Sequence, residues 1–459
     1  MIDKERYKII NGDSFKVLDT LQENSIDACI TDPPYGLTTI TKRFGKKDSK
    51  PTQFGKDGSF ARLTKGFMGK EWDGSGIEQN VEFWEKVYKV LKPGSYLLAF
   101  GGTRTFHRIA CAIEDAGFEI RDTIMWLYGS GFPKSHNIGL DIDKKQGCSD
   151  RGHRIATANR NHPDGTLEPN GENLPKYEGR TELGKKWQGW GTALKPAYEP
   201  IIVARKPIEK TVADNVLKYG TGGINIDECR VGNDVIKGGT MPDLDYVGKE
   251  QIKIGNGHKL SFGQIENAPR IPYDDHVGRF PANVILTYDE TDFDEVCGNM
   301  PNTNEESVCR YFYCAKASKK DRDSGLILFE EKQTTDGCLR TNSESARTFG
   351  ANSALRKNIH PTVKPVDLMQ YLIRLVTPRG GVIIDPFNGS GSTGKAVAFE
   401  NRERDADYKY IGIELDKEYC AISESRIDYA INKFQYDILE EIAENEKYGQ
   451  LSLFGDNNE

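Results

Sequence analysis

The sequence predicts an α/β protein whose doubly wound sheet is assembled from N- and C-terminal segments, and three observations predict it. Near the end of the chain, "GGVIIDPFNGSGSTGKAVAFE" (380–400) runs from a short β-branched strand through a glycine-rich turn into a helix-compatible stretch. Too little chain follows to complete a sheet. The N-terminal part holds the missing alternation: strand candidates "YKIINGD", "SIDACITD", "GSYLLAFGG" and "FEIRDTIMWLY", with helical candidates "SFKVLDTLQ" and "VEFWEKVYKVL" between them.

Composition bounds the rest. At 459 residues the chain is long enough for two or three domains. With 37% hydrophobic and 10% aromatic residues it should fold, and its mean hydropathy of −0.61 points to a soluble protein. No apolar run approaches the roughly 18 residues of a membrane span, and "MIDKERYKII" lacks a signal-peptide pattern. No membrane partner and a cytoplasmic location are expected. Nine cysteines without a secretion signal read as reduced thiols. Cys309 and Cys314 lack the further ligands of a closed zinc site, so no metal is expected.

The first unusual stretch is "ACITDPPYGL" (28–37). A bare Pro-Pro would only end a strand, but here Asp32 precedes Pro33 and Pro34, and Tyr35 follows. A carboxylate, a stiff backbone and a flat ring thus meet at one strand end. Residues 37–73 follow directly, with 9 basic and 4 acidic side chains. This excess opposes the whole-chain charge of −7, which the acidic segment 395–459 (8 basic, 16 acidic) more than accounts for. A basic Gly- and Ser-rich loop beside a candidate site suits phosphates.

After Trp126, an aromatic read as core, the chain inserts about 65 residues rich in Gly, Asn, Arg, Lys and His before "AYEPIIVARKP" (197–207). A loop of this length, about 135–190, is expected to be functional or disordered. Residues 208–358 carry no general catalytic motif but mix basic and aromatic side chains, as at Arg279-Phe280 and "CRYFYCAKASKKDR". In the glycine turn, Gly389, Gly391 and Gly394 spell G-x-G-x-x-G. Glu414, 20 residues further on, ends the apolar run "YIGIE". Glycines admit a nucleotide close to the backbone, and the acid can take two ribose hydroxyls. The last stretch, 431–459, reads as an acidic amphipathic helix and tail.

Taken together, Asp32 to Tyr35, the D-P-F-x-G-x-G of Asp385 to Gly391 and "HPTVKP" (360–365) resemble the S-adenosylmethionine-dependent amino-DNA methyltransferases. The order, with DPPY first and the glycines last, is similar to their circularly permuted β group. The likeness covers about residues 5–130 and 355–425. It implies a Rossmann-like methyltransferase sheet with an inserted target-recognition region. The parts are 1–207 (catalytic), 208–358 (target recognition), 359–430 (cofactor) and 431–459 (acidic tail). "AYEPIIVARKP" resembles the family's antiparallel strand at the sheet edge. The resemblance implies S-adenosylmethionine as cofactor and double-stranded DNA as partner. It leaves open a homodimer, a restriction endonuclease partner and the DNA sequence read.

The chemistry accounts for these residues independently. An exocyclic amine is a poor nucleophile because its lone pair is delocalised into the ring. The Asp32 carboxylate and the Pro33 carbonyl can grip its hydrogens, held by proline φ angles. Tyr35 would stack on the base, and the base must be flipped out to be reached. On the cofactor side the resemblance implies Phe387, Gly389 and Gly391 around the nucleoside and methionine, with Asp385 opening the turn. It also implies Glu414 on the ribose, Asp13 near the adenine amine, and Thr362 and Lys364 towards the methionine end. Asp13 and Glu414 also read as strand-end caps. Adenine N6 is the expected target and cytosine N4 the alternative, since the N4 enzymes more often have Ser in place of Asp32. Cytosine C5 methylation would need a cysteine after proline, which is absent. A catalytically silent DNA-binding module is opposed by the intact Asp32, Tyr35, Gly389 and Glu414. A nicotinamide oxidoreductase leaves DPPY unexplained.

Overall fold

The structure, a computed structural model, describes residues 3, 5–35, 76–128, 135–148, 178–242, 269–272, 274–287, 312–314, 316–335, 353–433 and 436. The basic stretch 37–73, residues 149–177 of the insertion, Cys309 and the tail from 437 lie outside the described residues.

Among the described residues nine strands form the central sheet: β1 (Tyr7–Asn11), β2 (Ile26–Thr31), β3 (Leu91–Phe100), β4 (Glu119–Tyr128), β5 (Tyr198–Arg205), β10 (Val284–Thr287), β11 (Phe312–Tyr313), β14 (Val382–Asp385) and β15 (Lys409–Glu414). Their order is β1-β15-β14-β2-β3-β5-β4-β10-β11. All neighbours are parallel except β5, which runs antiparallel between β3 and β4. The two C-terminal strands are thus wedged between β1 and β2, closing the sheet in space as expected. β5 is antiparallel but not at an edge, because β10 and β11 of the middle region extend the sheet beyond β4. The rest of that region forms short antiparallel ladders: β6 (Val231–Ile236) with β9 (His276–Arg279), β7 (Thr240–Pro242) with β8 (Arg270–Pro272), and β12 (Lys332–Thr335) with β13 (Ser353–Arg356).

The period-2 alternation of the strands builds two cores, one on each face. Ala28, Ile30, Tyr96, Leu98, Phe100, Ile201 and Val203 pack beneath the helices Val366–Val376, Ser392–Arg404 and Lys417–Ile431. Their neighbours Cys29, Leu97, Ala99, Ile202 and Ala204 meet Phe83, Trp84 and Val87 of helix Val81–Val90 and Ile109 and Ile113 of helix Phe106–Asp115. Every residue of β2 is buried. Each large apolar side chain so covered contributes about 1.5–3 kcal/mol, which is why this strand end holds a rigid site. Trp126 is core, 3% exposed, with its indole N–H on Thr287.

The glycine-turn helix begins at Ser392, two residues before the glycine that the sequence places at its start. Gly394 is therefore a packing glycine inside the helix. A Cβ there would meet Ile427 Cδ1 at 2.5 Å and Tyr410 Cε1 at 2.6 Å. At the described ends of the insertion, helices Ile138–Lys145 and Glu182–Lys186 are stapled by buried Asp143, which accepts from Arg180 N, Thr181 N and Thr181 Oγ1.

Candidate active site

Four parallel strands end side by side, and each end presents an acid: Asp13 after β1, Glu414 at the end of β15, Asp385 at the end of β14 and Asp32 after β2. Ligands of doubly wound sheets bind in the crevice at such carboxyl ends. The acids do not all have the same task.

Asp385 is 3% exposed, and its carboxylate is consumed by the fold. It accepts from Thr31 Oγ1 (2.6 Å), Thr393 Oγ1 (2.6 Å) and Phe387 N (3.1 Å). Burial still pushes it up to about 6, with the two threonine hydroxyls opposing. It ties the glycine turn to β2. Phe387 lies 5.1 Å from the Phe83 ring, partly buried. Asp13 caps helix Ser14–Val17 by accepting from Phe15 N (3.0 Å), as a strand-end cap would.

The glycine turn is held from several sides. Gly389 has φ +53° and donates its N–H to Glu414 Oε2 (2.7 Å), while Asp416 N reaches Oε1 (2.8 Å). Burial pushes Glu414 up to about 7 against those two N–H donors. A Cβ on Gly389 would lie 2.9 Å from His360 Nε2. His360 donates from Nδ1 to the carbonyl of exposed Thr362 (2.9 Å), and burial pushes it down to about 3, so it stays neutral. Gly391, at φ +76°, leaves no room either, since a Cβ would meet Ser423 Oγ at 2.2 Å. Between the two glycines, Ser390 O accepts from the fully buried Arg426 (2.7 Å).

The DPPY segment builds a separate cluster. Asp32 is partly buried and Pro33 and Pro34 are buried, with no cis peptide bond among the described residues. The Lys364 ammonium lies 2.6 Å from Asp32 Oδ2, 3.1 Å from the Tyr35 hydroxyl and 3.4 Å from Glu199 Oε2. Tyr35 donates its hydroxyl to Glu199 Oε2 (2.9 Å), and its carbonyl accepts from Thr105 Oγ1. Asp32 Oδ1 is buried and has no hydrogen-bond partner among the described residues. Burial raises Asp32 above the usual carboxylate range, with Lys364 opposing. For Lys364, burial works against the charge, but Asp32 and Glu199 outweigh it and raise its proton affinity. The Tyr35 hydroxyl is raised well above its ordinary value by burial and by the two carboxylates.

The structure thus brings Asp32, Pro33, Pro34 and Tyr35 together at one strand end. Asp385, Phe387, Gly389, Gly391 and Glu414 meet around the adjoining turn. Lys364, expected towards the methionine end of the cofactor, bonds Asp32 in the first group. Glu199, Thr105, His360 and Arg426 were missed. Only Glu199 and His360 stood in quoted motifs, and nothing local marks their contacts.

A DNA methylase family model, that of the N6/N4 enzymes, matches residues 26–425. The chain belongs to the N6/N4 DNA methylase family. It is similar to the Type II methyltransferase M.HindIII of Haemophilus influenzae, 27% identical over 238 residues, covering 47% of this chain and 64% of that protein. The Type II methyltransferase M2.LlaDCHI of Lactococcus lactis subsp. cremoris is 26% identical over 243 residues, 48% of this methylase and 81% of that protein. The match thus spans a little under two thirds of the first relative's length. Among solved structures, the M1.HpyAVI–SAM complex aligns with 92% of this chain and 98% of that one, at 14% identity and a TM-score of 0.34.

The cofactor of these methylases is S-adenosylmethionine, and the residues present fit it. Gly389 and Gly391 form a turn that no side chain can line. Each Glu414 oxygen accepts one backbone N–H, leaving about half of the roughly four acceptor positions of a carboxylate for hydroxyls. The metal question has a narrower answer: among the described residues no group of three His, Cys, Asp or Glu could hold an ion. No described helix is long and apolar enough to cross a membrane.

Proposed function

We propose that this chain transfers a methyl group from S-adenosylmethionine to the N6 amino group of an adenine flipped out of double-stranded DNA. One observation carries the reading: Asp32 Oδ1 is a buried acceptor with no partner among the described residues, beside an aromatic ring at the end of the strand adjoining the glycine turn. A buried acceptor without a donor is costly, and an amine with two hydrogens satisfies it.

The residues divide the work. Asp32 Oδ1 and the Pro33 carbonyl take the two amine hydrogens and draw the nitrogen lone pair out of the ring. Tyr35 lies against the base, where stacking is worth about 1–3 kcal/mol. Glu414 and the turn through Gly389 and Gly391 orient the cofactor, with Phe387 against its nucleoside and Asp13 and Thr362 at its rim. When bound, the sulfonium supplies an electrophilic methyl group, so the protein's part is alignment. The methylated nitrogen must shed a proton, and Asp32, whose burial raises its proton affinity, is the acceptor at hand. Adenine is favoured over cytosine because the acceptor is a carboxylate, as in the N6 enzymes that the motif resembles.

We read the order of the two motifs as that of the permuted β group, and residues 208–358 as the target-recognition region. A groove lined by Arg230, His276, Arg279 and Phe280 supports the second reading, with cations for phosphates and an exposed ring for bases.

The test is nucleoside mass spectrometry of DNA from a methylation-deficient host expressing the native chain or Asp32→Ala. N6-methyladenine from the native chain alone is expected. N4-methylcytosine would keep the mechanism and overturn the substrate. No modified base from soluble, cofactor-binding protein would overturn the reading.

A further inference from the structure

We infer that Lys364 is a positioning residue for Asp32, holding one carboxylate oxygen so that the other faces the incoming amine, and that Glu199 keeps Lys364 and Tyr35 in register for it. The inference rests on the proposed function for what the amine is, but not for the geometry. Lys364 stands just before helix Val366–Val376, 332 residues from Asp32 in sequence, and its side chain is 9% exposed. The nearest bond goes to Asp32 Oδ2 at 2.6 Å, leaving Oδ1 as the open acceptor. Its ammonium also lies 4.8 Å from the Phe100 ring centroid and 5.4 Å from that of Tyr35, two faces that favour a cation.

Glu199, from the antiparallel strand β5, completes the arrangement. It accepts the Tyr35 hydroxyl at 2.9 Å and stands 3.4 Å from Lys364. One cation is thus shared by two carboxylates and a phenol. The tyrosine ring that would stack on the base is tied at its hydroxyl to Glu199, while Thr105 ties its backbone.

The charge balance says what the lysine does. Burial makes the Asp32 carboxylate hard to keep ionised, and Lys364 is the largest influence in the other direction. A protonated Asp32 gives up acceptor capacity and negative charge, and so grips the amine hydrogens more weakly. The charged and titratable groups facing this cluster are Asp32, Tyr35, Glu199, Tyr128, Lys316 and His360, with Asp385 behind Asp32. His360 is neutral, and Lys316 sits over the Tyr128 ring at 3.6 Å. Lys364 alone among them bonds Asp32 as a cation.

The test uses the full chain with Lys364→Met, Lys364→Arg and Glu199→Gln. Carboxyl-¹³C aspartate labelling follows the Asp32 titration, assigned by its loss in Asp32→Asn. Calorimetry measures S-adenosylmethionine affinity. For Lys364→Met we expect the Asp32 proton affinity to rise at least tenfold, with cofactor affinity within about twofold of native. The acid limb of the kcat–pH profile should move to higher pH. Lys364→Arg, which keeps the cation, should return the titration close to native and would carry the test if the methionine variant fails to fold. Glu199→Gln should lower kcat with little change in cofactor affinity. An unchanged Asp32 titration with cofactor affinity down tenfold would overturn the inference and hand Lys364 to the cofactor. The titration is read without DNA, so a native chain that methylates nothing would sink the proposed function and leave this result standing.

Discussion

Thr31, the last residue of β2, donates its hydroxyl to Asp385, the last residue of β14, across 2.6 Å in the buried interior. Both motifs meet in that one bond, since the acceptor clamp starts one residue after Thr31 and the glycine turn starts directly after Asp385.

Removing the hydroxyl tests the joint. Thr31→Val keeps the shape and deletes the donor, and a hydrogen bond to a charged group contributes about 1.5–3 kcal/mol. The sign with pH is unusual for an aspartate. Its folded value, pushed up to about 6, lies above the ordinary 3.8, so the folded state binds more protons between them. The stability contributed by Asp385 is fully present below pH 4 and lost as pH rises through 6. Thr31→Val raises that value further. Urea unfolding should therefore give a gap between native and variant that is wide at pH 8 and narrows towards pH 5. An equal gap at both would refute the assignment.

With Glu414 on the ribose, as proposed, cofactor binding should depend on pH. Burial pushes it up to about 7, and only the carboxylate can accept two ribose hydroxyls. Affinity for S-adenosylmethionine should weaken as pH falls from 8 to 6. Glu414→Gln should bind several-fold more weakly at pH 8 and lack the component of pH dependence due to this group. Calorimetry at both pH values reads it. Parallel curves for the two proteins would remove Glu414 from the site.

Gly389→Ala asks whether the turn must be glycine. A left-handed φ costs an L-residue about 1–2 kcal/mol, and the added Cβ would press on His360 at 2.9 Å. The N–H bond to Glu414 would shift with it. Cofactor affinity should fall at least tenfold. Adding His360→Ala should recover part of the loss, because the contact goes and the backbone strain stays. Native-like binding by the single variant would contradict the description of the turn.

Gly394→Ala pits propensity against packing. Alanine in a helix interior is favoured over glycine by about 1 kcal/mol. Contacts of 2.5 and 2.6 Å to Ile427 and Tyr410 leave no room for it, and overpacking costs about 1–3 kcal/mol. Thermal unfolding should show a net loss. A gain would mean that Ile427 and Tyr410 yield to the added methyl group at little cost.

What the sequence made legible was local. β2 and β14 were readable because their apolar runs end at an acid and a proline, and Gly389 and Gly391 because a turn with positive φ admits little else. The doubly wound class followed from the alternation of such pieces. The contacts between distant segments were not readable. Glu199 sits 164 residues from Tyr35, and no periodicity in "AYEPIIVARKP" says which of its side chains looks into the crevice. The motif around Lys364 gave no sign that its four-carbon stem reaches Asp32, 332 residues away. β10 and β11 were absorbed into the middle region because short strands without flanking signals look like any loop. The helix start at Ser392 was missed because Ser and Thr read as turn residues until Gly391 is seen to cap them.

The wedging of β14 and β15 between β1 and β2 also sets a schedule for the ribosome. Among the described residues β1 has one neighbour in the sheet, β15, and Tyr7 pairs with Tyr410. At about 5–20 residues per second, β1 waits on the order of 20–80 s for β15 to be translated. Throughout that interval the nascent chain carries Asp32 to Tyr35 without the glycine turn to which Thr31 is tied.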